Sequence, residues 1–331
     1  APIDLTTIAA GTGGFVIHGQ DAGDGSGYSV ASAGDVNGDG FDDLIIGARF
    51  GDAAGNAKER AGESHVVFGK ASGWGAPIDL ADVAAGTGGF VIHGQDPSDQ
   101  SGFAVASAGD VNGDGFADLI IAARDAFAAG NAKSYAGDSY VVFGKAAGWG
   151  APIDLTTIAA GTGGFVIHGQ EAGDRSGNSV ASAGDVNGDG FDDLIIGASF
   201  ADAAGNAKDG AGDSYVIFGR DFTAATVTHA GTAAAETLTG TANADVIVAG
   251  QGDDTLLGQG GADALKGGAG NDRIAVSDLT FQRVDGGSGT DTLVLAGTGL
   301  TLDLAAIPDT KLQGIEAIEL GTNTLRVTAL E

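Results

Sequence analysis

The stretch that decides the fold is DVNGDGFDDLII, residues 35–46. Its side-chain oxygens stand at positions 1, 3, 5 and 9, glycine stands at position 6, and an apolar run follows. Alternate positions of a tight loop can direct oxygens at one centre, the Phe41 carbonyl can add another, and hard oxygen donors suit Ca²⁺ better than zinc or copper. An EF-hand is excluded because position 12 is Ile46, where that loop needs a bidentate Glu. The stretch predicts a calcium loop that leads into a buried strand.

The same loop returns at residues 110–118 and 185–193. Three copies at a fixed spacing, each followed by an apolar run, favour ion binding over an acidic turn held only by Asx hydrogen bonds. With one ion per loop, we expect roughly three Ca²⁺ here. The predicted ligands are Asp35, Asn37, Asp39, Phe41 and Asp43; Asp110, Asn112, Asp114, Phe116 and Asp118; and Asp185, Asn187, Asp189, Phe191 and Asp193.

A repeat of 75 residues surrounds each loop. The pentapeptide APIDL opens at residues 1, 76 and 151, which divides residues 1–221 into the repeats 1–75, 76–150 and 151–221. A helical turn is expected over Asp4–Ala10. Four short strand signals, set off by Gly and Asp, follow in the first repeat at Gly14–His18, Ser29–Ala33, Asp43–Ile46 and Ser64–Phe68. Repeated units of four strands predict three four-stranded propeller-type blades.

Two short motifs in each repeat carry a family resemblance. They are Gly27-Tyr28 and Gly47-Ala48-Arg49 in the first repeat, Gly102-Phe103 and Ala122-Ala123-Arg124 in the second, and Gly177-Asn178 and Gly197-Ala198-Ser199 in the third. With the calcium loops, these motifs resemble the FG-GAP repeats of integrin α-chain propellers and, more closely, their bacterial surface-protein relatives. The resemblance implies that each loop binds Ca²⁺ on a blade of a β-propeller.

The period changes to nine residues from about residue 239. Asp245, Asp254, Asp263 and Asp272 are spaced nine apart, and GGAGNDRIA, residues 267–275, fits the pattern G-G-x-G-x-D-x-U-x at every position. A further unit carries Asp291, 19 residues after Asp272 instead of 18. Two nonapeptides complete one coil of a parallel β-roll, so turns two units apart stack. The spacing therefore predicts that Asp245 faces Asp263 and that Asp254 faces Asp272.

Stacked carboxylates repel one another unless a cation lies between them, and carbonyls of the turns can complete its ligand shell. A Gly/Asp-rich linker is the alternative interpretation. The inward positions of the units are expected to be Ile247, Leu256, Leu265 and Ile274. The segment strongly resembles the RTX (hemolysin-type) calcium-binding repeat, which implies a β-roll or β-solenoid over residues 222–331 with a C-terminal β extension. We expect three or four Ca²⁺ in it, and the resemblance also implies export by type I secretion.

Composition limits the partners of the chain. There are 15 Lys and Arg against 44 Asp and Glu, a net charge of −29, and there is no cysteine. Nucleic acid is not expected as a partner because phosphate binding needs a basic surface. The absence of cysteine excludes disulfides and Cys-ligated zinc. No apolar run reaches 18 residues, so no membrane span is expected.

No catalytic motif stands out in the sequence. HExxH, GxSxG and the Walker A loop are all missing from the sequence. We therefore expect that the chain is not an enzyme. His18, His93 and His168 recur once per repeat and are interpreted as structural. Trp74 and Trp149 could stack on sugars, as in a propeller lectin, but packing between blades is favoured.

The three blades are fewer than the four to eight of a closed propeller. If Gly14–His18 is the outermost strand of a blade, the last blade lacks its own outermost strand. One hypothesis pairs this strand with the Ser214–Phe218 edge of another molecule, giving an oligomer or a filament. The other is truncation of a longer array.

The sequence as a whole predicts an extracellular calcium-binding structural or adhesive segment of a large bacterial surface or secreted protein that folds on Ca²⁺ after export. The alternatives are a self-assembling filament or surface-layer subunit and a carbohydrate-binding propeller. A surface glycan or a protein is the ligand expected for an adhesive role.

Overall fold

The computed structural model describes residues 2–74, 77–149, 152–202, 208–222 and 226–327. The predicted repeat starts at Ala1, Ala76 and Ala151 lie outside these residues. Apolar runs separated by Gly and Asp form strands almost throughout, and helix accounts for about 6% of the chain. The fold is therefore all-β, as predicted.

Each of the three repeats contributes a short N-terminal helix and a set of strands. The first contains α1 (Leu5–Ala9), β1 (Ile17–His18), β2 (Ser29–Gly34), β3 (Asp43–Ala48), α2 (Ala53–Asn56) and β4 (Glu63–Val67). The second contains β5 (Ile78–Asp79), α3 (Leu80–Ala84), β6 (Gly89–His93), β7 (Ser101–Gly109), β8 (Asp118–Ala123), α4 (Ala128–Asn131) and β9 (Asp138–Val142). The third contains β10 (Ile153–Asp154), α5 (Leu155–Ala159), β11 (Gly164–His168), β12 (Ser179–Gly184), β13 (Asp193–Ala198) and β14 (Asp213–Ile217).

The helix that opens each repeat begins at an aspartate. In α1 the Asp4 carboxylate accepts the backbone N–H of Thr6, and Asp79 and Asp154 cap α3 and α5 in the same way. Such a cap satisfies one of the N–H groups that a helix start leaves free. The helical turn predicted over Asp4–Ala10 is α1.

The blades are offset from the repeats by one strand. In blade one, β2, β3 and β4 pair antiparallel and β6 of the next repeat closes the sheet, with β10 added in parallel outside it. In blade two, β7, β8 and β9 are closed by β11. In blade three, β12, β13 and β14 form a three-stranded sheet within the described residues, which agrees with the prediction that the last blade lacks its own outermost strand. The chain passes from β14 into the C-terminal roll, so no further repeat supplies the outer strand.

The hydrophobic core lies between the blades. Ile45 and Ile46 are neighbours in β3 and point to opposite sides of blade one, into two different clusters. The strand β3 is thus apolar on both faces, which explains the continuous run of residues 44–46. The innermost strands β2, β7 and β12 lie side by side.

The C-terminal segment is a parallel β-solenoid of about five turns. Its strands are β15 (His229–Ala230), β16 (Thr237–Thr239), β17 (Val246–Gln251), β18 (Thr255–Leu257), β19 (Ala264–Ala269), β20 (Arg273–Val276), β21 (Arg283–Ser288), β22 (Thr292–Leu295), β23 (Thr301–Asp303), β24 (Leu312–Gln313), β25 (Ala317–Glu319) and β26 (Thr324–Arg326). Two five-stranded parallel sheets, β15-β17-β19-β21-β24 and β16-β18-β20-β22-β25, form its walls. A parallel pair, β23 and β26, follows.

The inward positions of the nonapeptides form the solenoid core. Ile247, Leu256, Leu265 and Ile274 are all fully buried. The extra residue before Asp291 is absorbed ahead of β21, because β19 and β21 pair with an offset of 19 residues and remain parallel. The coil therefore keeps its stacking through the irregular unit.

Candidate metal sites

The three predicted calcium loops repeat the same pattern of internal hydrogen bonds. In each loop, the position-one carboxylate accepts the backbone N–H groups of positions five and six. In the first loop, Asp35 Oδ1 accepts the N–H of Gly38 at 2.7 Å and Asp35 Oδ2 accepts that of Gly40 at 2.8 Å. Asn37 Nδ2 donates to Asp39 Oδ2 at 3.1 Å. Short polar side chains that bond to nearby N–H groups favour tight turns. The local sequence thus preforms the loop around the position-one carboxylate.

The aspartate at position nine of each loop ties the loop to the end of a neighbouring strand. Asp43 Oδ2 accepts the N–H of Val36 at 3.1 Å, and Asp43 Oδ1 accepts that of Gly69, just beyond β4, at 2.8 Å. Asp118 and Asp193 make the same pair of bonds. Since each carboxylate oxygen has two lone pairs, these bonds leave acceptor capacity for an ion.

Burial makes the acidic side chains of these loops costly to ionise. It raises the pKa of Asp43 to about 7. Burial, followed by repulsion from Asp110, raises the pKa of Asp114 to about 7 as well. The pKa of Asp118 lies well above its ordinary value, mainly through burial and then through the charges of Asp114 and Asp110. A bound divalent cation would offset this desolvation and repulsion.

Adjacent calcium loops interlock from blade to blade. Gly38 has φ +74°, and a Cβ there would lie 2.6 Å from Cε1 of the Phe116 ring in the next loop. Gly113, with φ +78°, meets the ring of Phe191 in the same way. Only glycine combines this backbone conformation with such close contact. Phe116 and Phe191 therefore pack each loop against the one before it, whether or not their carbonyls bind an ion.

The predicted aspartate pairs of the roll lie together. The Asp245 N–H donates to Asp263 Oδ1 at 3.0 Å, and the Asp254 N–H donates to Asp272 Oδ1 at 2.7 Å. The Asp272 N–H continues the series by donating to Asp291 Oδ1 at 2.7 Å. We call the stack of Asp254, Asp272 and Asp291 the aspartate ladder.

The ladder leaves one oxygen of each carboxylate without a partner. Asp254 Oδ2, Asp272 Oδ2 and Asp291 Oδ2 are buried and accept no hydrogen bond from any described residue. Burial, followed by the charges of Asp291 and Asp254, raises the pKa of Asp272 to about 6. Buried unpaired polar atoms are costly. Stacked acceptor oxygens of this kind fit a hard cation such as Ca²⁺.

Carboxylates alone do not enclose an ion at these positions. Among the described residues, no group of three or more His, Cys, Asp or Glu side chains forms a metal-holding cluster. Backbone carbonyls, such as that of Phe41, and loop amides such as Asn37 would have to supply the remaining ligands. That mixture of oxygen donors is typical of calcium sites.

The roll lies directly against the calcium loops of the blades. Lys266 Nζ is 3.3 Å from Asp110 Oδ2, and the two side chains are 6% and 0% exposed. Gln282 Nε2 donates to the Asp114 carbonyl at 3.1 Å, and Gln251 Nε2 donates to the Asn187 carbonyl at 2.8 Å. Loops two and three are therefore partly covered by β-roll side chains.

The acids around Lys266 stabilise its charged form. Burial lowers its pKa, but Asp110 and Asp192 outweigh this effect and hold that pKa above the ordinary lysine value. This contact was not predicted from the sequence. The available signal was that Lys266 stands where neighbouring nonapeptides have Val248, Leu257 and Ala275.

The acid that extends the ladder was not predicted from the sequence either. The Asp291 N–H donates to Glu316 Oε2 at 2.8 Å. Glu316 lies 25 residues after Asp291, outside the nine-residue spacing. No periodic signal marks it.

Both repeating tryptophans stack on a phenylalanine, and His93 and His168 each lie next to an acid. Trp74 stacks on Phe15 and Trp149 stacks on Phe90, with ring centroids 4.5 and 4.3 Å apart. His93 Nδ1 lies 3.0 Å from Glu63 Oε1. His168 Nδ1 lies 2.8 Å from Asp138 Oδ1. These pairs join β6 to β4 and β11 to β9.

Comparison with protein families confirms both repeat types. The FG-GAP repeat model matches residues 26–67, 101–142 and 176–217. The model of the RTX calcium-binding nonapeptide repeat matches residues 231–265 and 239–274. The matches fall on the blades and on the first coils of the roll.

Curated relatives are similar to slightly more than half of this chain. Phosphatidylinositol-glycan-specific phospholipase D from Bos taurus is 33% identical over 186 residues, covering 55% of this chain and 19% of that protein. Integrin alpha-V from Gallus gallus is 33% identical over 184 residues, covering 54% of this chain and 15% of that protein. Integrin alpha pat-2 from Caenorhabditis elegans is 33% identical over 199 residues, covering 58% of this chain and 14% of that protein. The chain thus spans less than a fifth of the length of these relatives.

None of the described helices is long and apolar enough to cross a membrane.

Proposed function

We propose that this chain, which consists of FG-GAP repeats followed by RTX calcium-binding nonapeptide repeats, is a calcium-dependent structural or adhesive segment of a larger bacterial surface or secreted protein. Both repeat types suggest an extracellular calcium-binding segment. The adhesive role, the bacterial surface and export by type I secretion are parts of the proposal.

The aspartate ladder is the observation that carries the proposal. Three stacked carboxylates each present a buried oxygen that accepts no hydrogen bond from the described residues. Ca²⁺ accepts carboxylate and carbonyl oxygens in flexible geometry. We propose three or four ions in the roll and one in each of the three loops that begin at Asp35, Asp110 and Asp185.

Calcium would then contribute directly to folding. Acids outnumber bases by 44 to 15, and repulsion among carboxylates opposes a compact state. Because the sites form only in the folded chain, the free energy of ion binding stabilises the fold. Such a chain would stay unfolded at low calcium and fold on reaching a calcium-rich exterior.

The test is far-UV circular dichroism during calcium titration and EDTA chelation. Wild type should lose β signal in EDTA and regain it with calcium. Asp272→Asn should need more calcium, because it removes one charged ligand from the ladder. The matched control is Asp82→Asn, at an exposed position of α3. Spectra unchanged by EDTA would contradict calcium-dependent folding.

We propose that this segment has no catalytic role. Its repeated carboxylates are engaged in loop bonds or in the ladder. One relative is named as a phospholipase, but this chain covers only 19% of it. Incubation with a phosphatidylinositol-glycan-anchored protein should release nothing. Release above buffer would contradict this part of the proposal.

An adhesive segment would bind either a carbohydrate or a protein ligand. The stacking of Trp149 on Phe90, with the tryptophan 7% exposed, supports packing between blades over sugar binding. A glycan array probed with and without calcium tests the alternative. Calcium-dependent binding that Trp149→Ala abolishes in a folded variant would favour it.

A further inference from the structure

The three calcium loops, numbered one to three along the chain, have the same predicted ligands but different surroundings. Positions one, three, five, seven and nine hold Asp, Asn, Asp, Phe and Asp in every loop. Position eight differs, because it is Asp42 in loop one and Asp192 in loop three but Ala117 in loop two. Any further difference in ion affinity must come from the groups that lie around each loop.

One wall of the roll lies against loop two. Lys266 is in β19, with Val248 of β17 and Asp285 of β21 beside it in the parallel register. Val248 packs on loop two, since a Cβ added to Gly113 would lie 3.1 Å from Val248 Cγ2. Next to this contact, Lys266 Nζ lies 3.3 Å from Asp110 Oδ2. The wall thus places an ammonium group at the position-one carboxylate of loop two.

Loops one and three have no such cation at position one. Within the described residues, neither Asp35 nor Asp185 forms an ion pair with a basic side chain. Asp35 Oδ2 is 3.5 Å from the neutral hydroxyl of Thr310. Gln251 reaches loop three with a neutral amide, which donates to the Asn187 carbonyl. The positive charge beside loop two is therefore a difference between otherwise matching sites.

The other charges near Lys266 do not remove this difference. Asp192 and Asp285 attract its ammonium group, and the guanidinium of Arg283 repels it. The Asp192 carboxylate also accepts the Asp110 N–H at 2.7 Å. These two acids and two bases have a summed charge of zero. The cluster around Asp110 therefore adds no net negative charge that would attract an ion.

Burial strengthens the effect of the ammonium group on loop two. The side chains of Lys266 and Asp110 are 6% and 0% exposed, and Asn112 at position three is buried as well. In loop three, by contrast, Asp185 at position one is exposed. Solvent and salt screen buried charges much less than exposed ones. An ion in loop two would meet a nearby positive charge that water does little to weaken.

We propose that Lys266 sets the calcium affinity of loop two and makes it the weakest of the three loops. The inference rests on the proposed binding of calcium by these loops. The ammonium group and the ion share one carboxylate, that of Asp110, and they repel each other. At the effective dielectric constant of a protein, this repulsion should weaken binding in loop two at least about tenfold. Loop two would therefore fill after loops one and three.

The effect on loop two is reciprocal. An ion in loop two reduces the attraction between Asp110 and Lys266, so it weakens this contact between the blades and the roll. By thermodynamic linkage, the contact weakens ion binding by the same factor. Lys266 thus couples the calcium content of one blade loop to the seating of the roll.

NMR of the isotope-labelled full chain can follow the three loops in one sample. The position-six amides of Gly40, Gly115 and Gly190 each donate to the position-one carboxylate of their own loop. An ion at that carboxylate alters the hydrogen bond, so each amide resonance reports on its own loop during a calcium titration. In the wild type, the midpoint for Gly115 should lie at a free calcium concentration at least about tenfold above the other two.

Substitutions of Lys266 test the source of the difference. Lys266→Met removes the charge and should lower the Gly115 midpoint at least about tenfold, while the Gly40 and Gly190 midpoints stay unchanged. Lys266→Arg keeps the charge and should leave loop two the weakest. The matched control Arg273→Met removes a cation of the roll that is 50% exposed, and it should move none of the three midpoints.

The outcomes separate this inference from the proposed function. Equal midpoints for the three loops of the wild type would overturn the inference without any variant, so it stays testable if Lys266→Met does not fold. A Gly115 midpoint that a folded Lys266→Met leaves unchanged would overturn it as well. Both results leave calcium binding by the loops intact. If none of the three amides responds to calcium, the proposed function fails and the inference fails with it.

Discussion

Replacing Lys266 by Met should destabilise the fold at the contact between the roll and calcium loop two. The methionine fills a similar volume, so little packing is lost. The loss is the ammonium group 3.3 Å from Asp110 Oδ2, in a pair whose side chains are 6% and 0% exposed. Removing one partner of a buried ion pair costs about 3–5 kcal/mol, because the other charge stays buried.

The lower end of that range, about 3 kcal/mol, applies in saturating calcium, since an ion in loop two would share the charge of Asp110. The assay is urea unfolding of Lys266→Met and wild type, because urea adds no screening salt. Arg273→Met is the matched control: its pair with Glu319 is 50% and 55% exposed. Exposed pairs contribute about 0–1 kcal/mol. Equal losses in the two variants would refute the buried-pair reasoning.

Three further outcomes follow from the roll and its ladder. Leu265→Ala should cost about 2–5 kcal/mol in urea unfolding because Leu265 is fully buried; a cost below about 1 kcal/mol would contradict a packed core there. Without calcium, the folded-state pKa of Asp272 is raised from 3.8 to about 6. The stabilisation provided by protonated Asp272 is fully present below pH 3.8 and is lost as pH rises through 6. The melting temperature in EDTA should therefore fall over this pH range. A melting temperature that does not change with pH would count against this expectation. During graded chelation, monitored by hydrogen exchange, the roll should lose protection before the blades; simultaneous loss would contradict separate calcium dependence.

The repeat periods predicted most of the fold because each period reflects local chemistry. The run Leu44–Ile46 predicted a strand buried on both faces, and Ile45 and Ile46 enter different cores. The nine-residue spacing predicted the stacking of Asp254 on Asp272. The phase of the strands also predicted the open edge after blade three.

Long-range contacts could not be predicted in the same way. Lys266 and Asp110 are 156 residues apart and belong to different repeat types, so no period relates them. Glu316 extends the ladder from outside the nonapeptide spacing. The hydrogen bond from the Gly69 N–H to the Asp43 carboxylate could not be predicted either, because Gly69 lies 26 residues further along the chain, just beyond β4. Such contacts depend on how blades and roll meet in space.

The most direct test of the calcium account is ion stoichiometry, measured by equilibrium dialysis with elemental analysis of the full chain. Three loops and a roll with three or four sites predict six or seven Ca²⁺ per chain at saturation. Asp39→Asn should lower the affinity of one site and leave the others unchanged. A chain that retains no calcium, or a single ion, would contradict the account.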